Sequence, residues 1–284
     1  MGKTKYALSI VLSFMLTFCI VLLIITAVLL NTLFSDKYHV EQIDKSGFTP
    51  LALNELRETY VSHGAASGIP SEVMEKGVTP EQIISAAKSS LRSAFHTGSA
   101  FDYARYTNEL LALLREYADS MGIEPAPELD EGLEDLARLC AGEFKAHTDS
   151  ELYRMLARIV LSFKRYLGMA LTFLIAASAV IAVTLMLLNN RLSRLSEYGV
   201  YVFGANTIIC ALIPWIVKVS GVTERLNITP RSFNRLFTSV LDGFFNGFIY
   251  ALLPASFMLV ICAAVKASRM RNKSRRRVSV KREG

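Results

Sequence analysis

The chain is poor in the residues that usually carry enzymatic or metal chemistry. Its 284 residues include four cysteines, four histidines and one tryptophan. It contains no H-E-x-x-H pair, no spaced Cys/His cluster, no G-x-S-x-G nucleophile motif and no G-x-x-x-x-G-K-[ST] phosphate loop. We therefore expect a non-enzymatic protein with no catalytic residues, cofactor or metal. A zinc site that folding assembles from His63, His96 and His147 is the alternative that remains open.

The region between the first two long apolar runs contains too few cysteines to form a disulfide within it. Only Cys140 lies in that part of the chain, and Cys19, Cys210 and Cys262 lie within apolar runs. Cys140 shares a helical stripe with Leu133, Leu136, Ala137 and Phe144. This position predicts a buried core thiol, with an intermolecular disulfide as the alternative.

Long apolar runs are abundant, and hydrophobic residues make up 52% of the chain. Four runs are long enough to cross a hydrocarbon core, which takes roughly 20 helical residues. They cover approximately residues 6–34, 168–188, 198–217 and 244–265. Ionisable residues occur only near the ends of these runs, which disfavours a proton relay or an ion-coupled carrier. The sequence predicts an all-α integral membrane protein with four transmembrane helices.

The charge distribution predicts the orientation in the membrane. The net charge is +6, but residues 34–166 contain 14 Lys and Arg against 21 Asp and Glu, or 14 − 21 = −7. A basic cluster follows the fourth run, and basic residues also precede the first run and separate the second from the third. By the positive-inside rule, both termini are cytoplasmic and residues 35–166 form an extracytoplasmic domain. We expect a multi-pass protein of the cell membrane, preferably the bacterial cytoplasmic membrane.

The basic tail, residues 267–284, is predicted to contact lipid rather than nucleic acid because it directly follows a membrane span. We expect the following side chains to contact anionic headgroups: Arg269, Arg271, Lys273, Arg275, Arg276 and Arg277.

Helical spacing predominates in residues 35–166. Thr79-Pro80 is a strong helix-start signal, Thr49-Pro50 is a second, and residues 35–48 are predicted to be irregular. The absence of hairpin signals and of sustained alternation favours an α-helical bundle of four to six helices between the first and second spans.

One long helix is predicted to connect this bundle to the membrane. Apolar residues recur at helical spacing from Leu152 to Phe163, and the pattern runs without proline into the second span. Thr148 and Glu151 have the form of a capping box, so we predict a continuous helix over residues 148–189.

The three-helix membrane domain, residues 167–266, contains two further features. Residues 230–243 predict an amphipathic helix lying at the membrane interface before the fourth span. Small residues then recur every four positions and predict close helix packing, within the chain or against a partner subunit: Gly243, Gly247, Ala251 and Ala255. The first domain is the signal-anchor helix of residues 1–34.

The turn between the second and third spans provides a resemblance. Arg191-Leu-Ser-Arg194-Leu-Ser-Glu197, followed by Gly204-Ala205, is similar to the basic, Glu-containing turn and Gly-Ala pair of the FtsX/MacB class of ABC-transporter permeases. The order of one span, an external domain and three more spans also resembles that family. The resemblance implies a partner ATPase contacted through Arg191, Arg194 and Glu197. The chain departs from the family in its shorter Glu-to-Gly interval, its missing N-terminal helix, a third span without the usual glycines and its all-α external domain.

The sequence is consistent with two functions. The first is a protein whose external bundle binds or senses a ligand or an envelope partner, coupled to the membrane by the helix 148–189. The alternative is an ABC-transporter-associated permease or mechanotransmission subunit that works with a separate ATPase. Expected partners are membrane lipid and a protein or a second copy of the chain held through small-residue faces.

Overall fold

The computed structural model of the chain describes residues 3–123, 126–189, 192–223, 225–226 and 228–282. Residues 3, 192, 193 and 270–282 are described by their backbone alone. Within this part, all regular structure is α-helical: α1 (Lys3–Asn31), α2 (Asp36–Lys45), α3 (Phe48–Ala66), α4 (Ser71–Lys76), α5 (Pro80–Ala94), α6 (Tyr103–Ser120), α7 (Pro127–Thr148), α8 (Glu151–Leu188), α9 (Leu192–Ser220) and α10 (Arg231–Arg282).

Four of these helices contain segments long and apolar enough to cross a membrane. The segments are Thr4–Asn31, Glu151–Leu188, Arg194–Ser220 and Arg231–Arg269, and helices α2 to α7 lie between the first and the second in sequence. The predicted fold class is therefore confirmed. The four segments indicate a multi-pass membrane protein.

The chain divides into two compact units. The bundle unit comprises residues 33–163 and 224–241, and the span unit comprises residues 1–32, 164–223 and 242–284. Helices α8 and α10 each contribute residues to both units.

The core of the bundle unit is built from apolar side chains of α2 to α8 and the start of α10. A network of buried hydroxyl groups lies inside it. The hydroxyl of Tyr60 lies 2.8 Å from the carbonyl oxygen of Cys140 and 2.9 Å from the hydroxyl of Tyr106. The Tyr106 hydroxyl in turn lies 2.8 Å from the carbonyl oxygen of Gly77. Burial raises the pKa of both tyrosines, so the hydroxyls keep their protons and tie α3, α6 and α7 together.

Local capping explains where the bundle helices begin. The expected start at Thr79-Pro80 is confirmed: the Thr79 hydroxyl accepts the Gln82 N–H, and the Gln82 side chain accepts the Thr79 N–H. The prediction that residues 35–48 are irregular is wrong. Ser35 caps α2, and His39 and Ile43 sit one turn apart on its buried face. Helix α3 begins at Phe48, one residue before the expected Thr49-Pro50 start, after Gly47 with a left-handed φ of 76°.

The long helix begins later than predicted. Thr148 is the last residue of α7, and its hydroxyl donates to the carbonyl of Phe144, so it does not cap the following helix. Helix α8 begins at Glu151 and ends at Leu188, with its first hydrogen bond from the Arg154 N–H to the Ser150 carbonyl. The helix is continuous over 38 residues, as expected.

The apolar face of residues 231–241 is covered by protein within the bundle unit. We expected these residues to lie at a membrane interface. Phe233 and Leu236 are 4% and 1% exposed, and the Phe233 ring lies 5.4 Å from that of Phe48 and 6.0 Å from that of Tyr153. A helical stripe of this kind has the same appearance in sequence whether protein or lipid covers it.

Candidate functional site

A groove of about 440 Å³ opens on the surface of the bundle unit. Its walls come from the end of α5, the loop before α6, the first residue of α6, and the first turns of α8. The lining residues are Ser90, Ser93, Ala94, His96, Ala100, Tyr103, Asp149, Glu151, Arg154 and Arg158. This volume lies within the range of about 300–1,000 Å³ that is typical of small-molecule sites.

One wall depends on an unusual backbone conformation at the end of α5. His96 has a φ of 56°, a left-handed value that is uncommon for a residue with a side chain. The Thr97 N–H then donates to the carbonyl of Arg92 over 2.8 Å, which turns the chain away from the helix. A left-handed residue shortly after the last helical residue is a common helix ending, and here it sets the direction of this wall of the groove.

A chain of hydroxyl groups lies along the groove. The Thr148 hydroxyl donates to the Phe144 carbonyl over 2.7 Å and so presents its lone pairs to the hydroxyl of Tyr103, 3.1 Å away. The Tyr103 hydroxyl lies 3.0 Å from Ser90. Burial raises the pKa of Tyr103, which keeps its proton available for donation. These three hydroxyl groups therefore link α5, α6 and α7.

The groove carries charges of both signs. Asp149 Oδ1 lies 3.4 Å from Arg154 Nε, and the carboxylate is 14% exposed while the guanidinium is 51% exposed. Glu151 and Arg158 are exposed beside this pair. Because both guanidinium groups lie in the first two turns of α8, a ligand that binds them contacts the start of the long helix directly.

Tyr153 lies behind the groove with an unpartnered hydroxyl. It is 3% exposed, and its hydroxyl oxygen has no hydrogen-bond partner in the described part of the chain. It lines a narrow cavity of about 10 Å³ that shares Ser90, Asp149 and Arg154 with the groove. A buried polar atom without a partner is unfavourable by about 1–3 kcal/mol. A cavity of this size has room for no more than about one water molecule.

A second polar cluster in the bundle unit has a structural role. The Glu55 carboxylate accepts the backbone N–H groups of Arg231 and Ser232 at 3.1 and 3.3 Å, at the start of α10. His147 Nε2 lies 3.7 Å from the same carboxylate. Glu55 on α3 therefore supplies the cap that the first turn of α10 requires.

The histidines of the bundle unit do not form a cluster. His39 is buried, its Nε2 lies 3.0 Å from the Leu33 carbonyl, and burial lowers its pKa. His96 lines the groove and His147 lies beside Glu55. In the described residues, no group of three His, Cys, Asp or Glu side chains is arranged to hold a metal ion, including the proposed set of His63, His96 and His147.

All four residues of the predicted small-residue face of α10 lie in the described part of the chain. A Cβ atom at Gly247 would lie 2.7 Å from Val28 Cγ1, so α1 and α10 pack closely at this point of the span unit. Ala255 is 7% exposed, and Gly243 and Ala251 are half-buried.

The predicted partner-coupling turn is described only in part. Arg191 lies outside the described residues, and Arg194 lies in the first turn of α9. Glu197 Oε1 lies 3.7 Å from Lys266 Nζ, and the Glu197 side chain is 49% exposed.

Most of the predicted lipid-contact side chains lie outside the described part of the chain. Arg269 is exposed on α10. The side chains of the other five, Arg271, Lys273, Arg275, Arg276 and Arg277, lie outside the described part.

Sequence reasoning missed the groove because its residues come from two segments, 90–103 and 149–158, that are distant in sequence. The one local signal is the polar sequence Asp149-Ser150-Glu151, where α7 ends and α8 begins. No protein-family model, curated protein or solved structure matches the chain. Function is therefore inferred from the groove and from the helix that leaves it.

Proposed function

We propose that this chain is a non-enzymatic, multi-pass membrane protein that binds a small polar ligand in the groove of its bundle unit. In this proposal, the bundle unit lies outside the cytoplasm and helix α8 transmits occupancy of the groove to the membrane. The observation that carries the proposal is the position of Arg154 and Arg158. They line the groove and belong to the same uninterrupted helix as the second membrane segment.

The mixture of charges favours a ligand that itself carries both signs. Arg158 is available to a carboxylate or another anionic group, and Glu151 is available to an ammonium group. The Ser90 and Ser93 hydroxyls add neutral donors and acceptors nearby. Amino acids and short polar peptides have this combination of groups.

Helix α8 is suited to coupling because of its length and regularity. Its 38 residues contain no proline and, at 1.5 Å per residue, extend for about 57 Å. An uninterrupted helix is stiff, because bending requires the loss or distortion of several backbone hydrogen bonds. A ligand that orders Arg154 and Arg158 therefore contacts a helix that continues into the second membrane segment.

A thermal-shift measurement tests ligand binding. The detergent-solubilised chain is mixed with a panel of amino acids and short polar peptides, and the unfolding temperature is compared for wild type, Arg158→Ala and Arg138→Ala. Arg138 is an exposed arginine on α7 outside the groove and is the matched control. We expect at least one compound to stabilise wild type and Arg138→Ala but not Arg158→Ala. A panel that stabilises none of the proteins, or all three equally, contradicts the proposal.

A transporter subunit worked by a separate ATPase is the second proposal. The half-exposed carboxylate of Glu197 near the start of α9 supports it, because a partner can still reach this group beside Lys266. The test is co-purification from membranes followed by mass spectrometry, comparing wild type with Glu197→Ala and with Glu58→Ala, an exposed glutamate outside the groove, as the control. An ATPase recovered with wild type and Glu58→Ala but lost with Glu197→Ala supports this role. Its absence from the wild-type sample argues against it.

A further inference from the structure

Helix α8 exposes an apolar stripe in the part that belongs to the bundle unit. Leu152, Met155 and Ile159 are 36%, 55% and 44% exposed. On the same three turns, Tyr153, Ala157 and Val160 are buried in the bundle. The sequence predicts a single apolar stripe from Leu152 to Phe163, but of these residues Val160 is buried in the bundle whereas Leu152, Met155 and Ile159 are exposed. The helix therefore has two apolar faces, and only one of them is covered.

The exposed stripe follows a heptad spacing. Leu152, Met155 and Ile159 occupy successive a, d and a positions, with intervals of three and four residues. Tyr153, Ala157 and Val160 then occupy b and f positions, which point away from an a/d face. The uncovered face is thus the one that a coiled-coil partner requires, and the covered face is opposite to it.

The same spacing continues in sequence through the rest of α8. We define the α8 seam as the a and d positions of the helix, all of them exposed, which are Leu152, Met155, Ile159, Ser162, Tyr166, Met169, Phe173, Ala176, Val180, Val183 and Leu187. Within residues 168–188 nearly every position is apolar, so there the seam is distinguished by the exposure of its residues and not by their spacing.

The position of the seam along α8 restricts what can cover it. Lipid can cover the apolar run 168–188, but Leu152, Met155 and Ile159 precede the charged pair Lys164-Arg165, which marks the expected edge of the hydrocarbon region. A water-soluble partner could cover only those first residues. In a second copy of α8 aligned in parallel, the change from polar to apolar surroundings falls at the same residue. Each seam residue of one copy therefore meets the same residue of the other.

We propose that the chain forms a parallel homodimer through the α8 seam. A two-fold axis along the helix pair brings each a and d residue against its own counterpart, which is the closed, self-complementary arrangement usual for dimers. The packing of Tyr153, Ala157 and Val160 in the bundle is undisturbed because they lie on the other face. Glu151 and Arg158, which line the groove, occupy g positions at the edge of the seam, so the dimer surface borders the groove.

Cysteine cross-linking tests the proposal. Cys19, Cys210 and Cys262 are replaced by serine, and Cys140 is retained because it is 1% exposed. Single cysteines are then introduced as Met155→Cys or Ile159→Cys in the seam and as Lys164→Cys on the opposite, f-position face. The full-length variants are oxidised in liposomes of phosphatidylcholine and phosphatidylglycerol at low protein density. We expect roughly tenfold more disulfide-linked dimer for the two seam variants than for Lys164→Cys.

A second variant keeps the test decisive if a cysteine disturbs folding. Ile159→Glu places a carboxylate at a seam position and is compared with Lys164→Glu, with helicity checked by circular dichroism. We expect Ile159→Glu alone to convert the reconstituted protein from dimer to monomer in single-molecule subunit counting. Cross-linking that is equal in all three cysteine variants or absent from the seam, or a dimer that survives Ile159→Glu, overturns the proposal.

Discussion

The hydroxyl of Tyr103 lies 3.1 Å from the hydroxyl of Thr148, so the first residue of α6 meets the last residue of α7 beside the groove. Since α8 begins three residues after Thr148, this contact also fixes where the long helix departs from the bundle. The geometry of the groove and the origin of α8 therefore depend on the same small set of hydroxyl groups.

Two tyrosine-to-phenylalanine substitutions should differ in their effect on the stability of the bundle. Tyr60→Phe removes the donor to the Cys140 carbonyl and a partner of Tyr106, so we expect the free energy of unfolding to fall by about 1–3 kcal/mol. Tyr153→Phe removes a buried hydroxyl that has no partner in the described residues, so we expect no loss of stability or a small gain. Native-state hydrogen exchange of the core amides measures both. Equal destabilisation by the two changes would show that the Tyr153 hydroxyl is bonded in the native protein.

Glu55 should stabilise the start of α10 through its two backbone contacts. Glu55→Ala leaves the N–H groups of Arg231 and Ser232 without this acceptor, so we expect a loss of about 1–2 kcal/mol and faster exchange of amides 231–234. Glu58→Ala, an exposed position one turn away on α3, is the control and should change stability by less than about 0.5 kcal/mol. Unchanged exchange at the start of α10 in Glu55→Ala would contradict the assigned role.

Cys140 should resist alkylation in the folded protein. Burial, and secondarily the charge of Glu143, raises the pKa of its thiol to about 12, so the group stays neutral below that pH. The thiolate is the reactive form, and we expect negligible labelling by maleimide from pH 7 to 9 in the folded Cys19→Ser, Cys210→Ser, Cys262→Ser variant. Labelling in denaturant is the control, since unfolding restores access and the ordinary pKa. Rapid labelling of the folded protein would refute the buried position.

The contact between Gly247 and Val28 should depend on side-chain volume. Gly247→Ala adds a methyl group 2.7 Å from Val28 Cγ1, so we expect a lower unfolding temperature in detergent. Val28→Ala removes that methyl carbon and should partly restore stability in the double variant. Gly168→Ala is the control because its added Cβ has no atom within 4 Å. A double variant no more stable than Gly247→Ala alone would exclude the direct contact.

The sequence predicted the features that depend on local periodicity. Four apolar runs, the Thr79-Pro80 start and the continuous α8 follow from spacing and capping chemistry, which are properties of neighbouring residues. The α2 helix was missed because its apolar content is low and only His39, Gln42 and Ile43 are buried.

Tertiary features were less accessible from the sequence. The groove brings together residues as distant as Ser90 and Arg158, and no periodicity reports such a contact. Helix α8 shows the same limit, because two apolar stripes share the helix and the sequence does not indicate which one the bundle covers.

Hydrogen exchange along α8 tests the central claim, that ligand binding in the groove is transmitted through this helix. Exchange is measured on the full-length protein with and without the panel compound that stabilises it most, for wild type, Lys164→Pro and Lys164→Ala. Proline at an exposed interior position breaks the helix without touching the groove, and alanine preserves it. We predict that the compound slows exchange beyond residue 164 in wild type and Lys164→Ala, and only before it in Lys164→Pro. Slowing that stays within the groove residues in all three proteins would contradict coupling through α8.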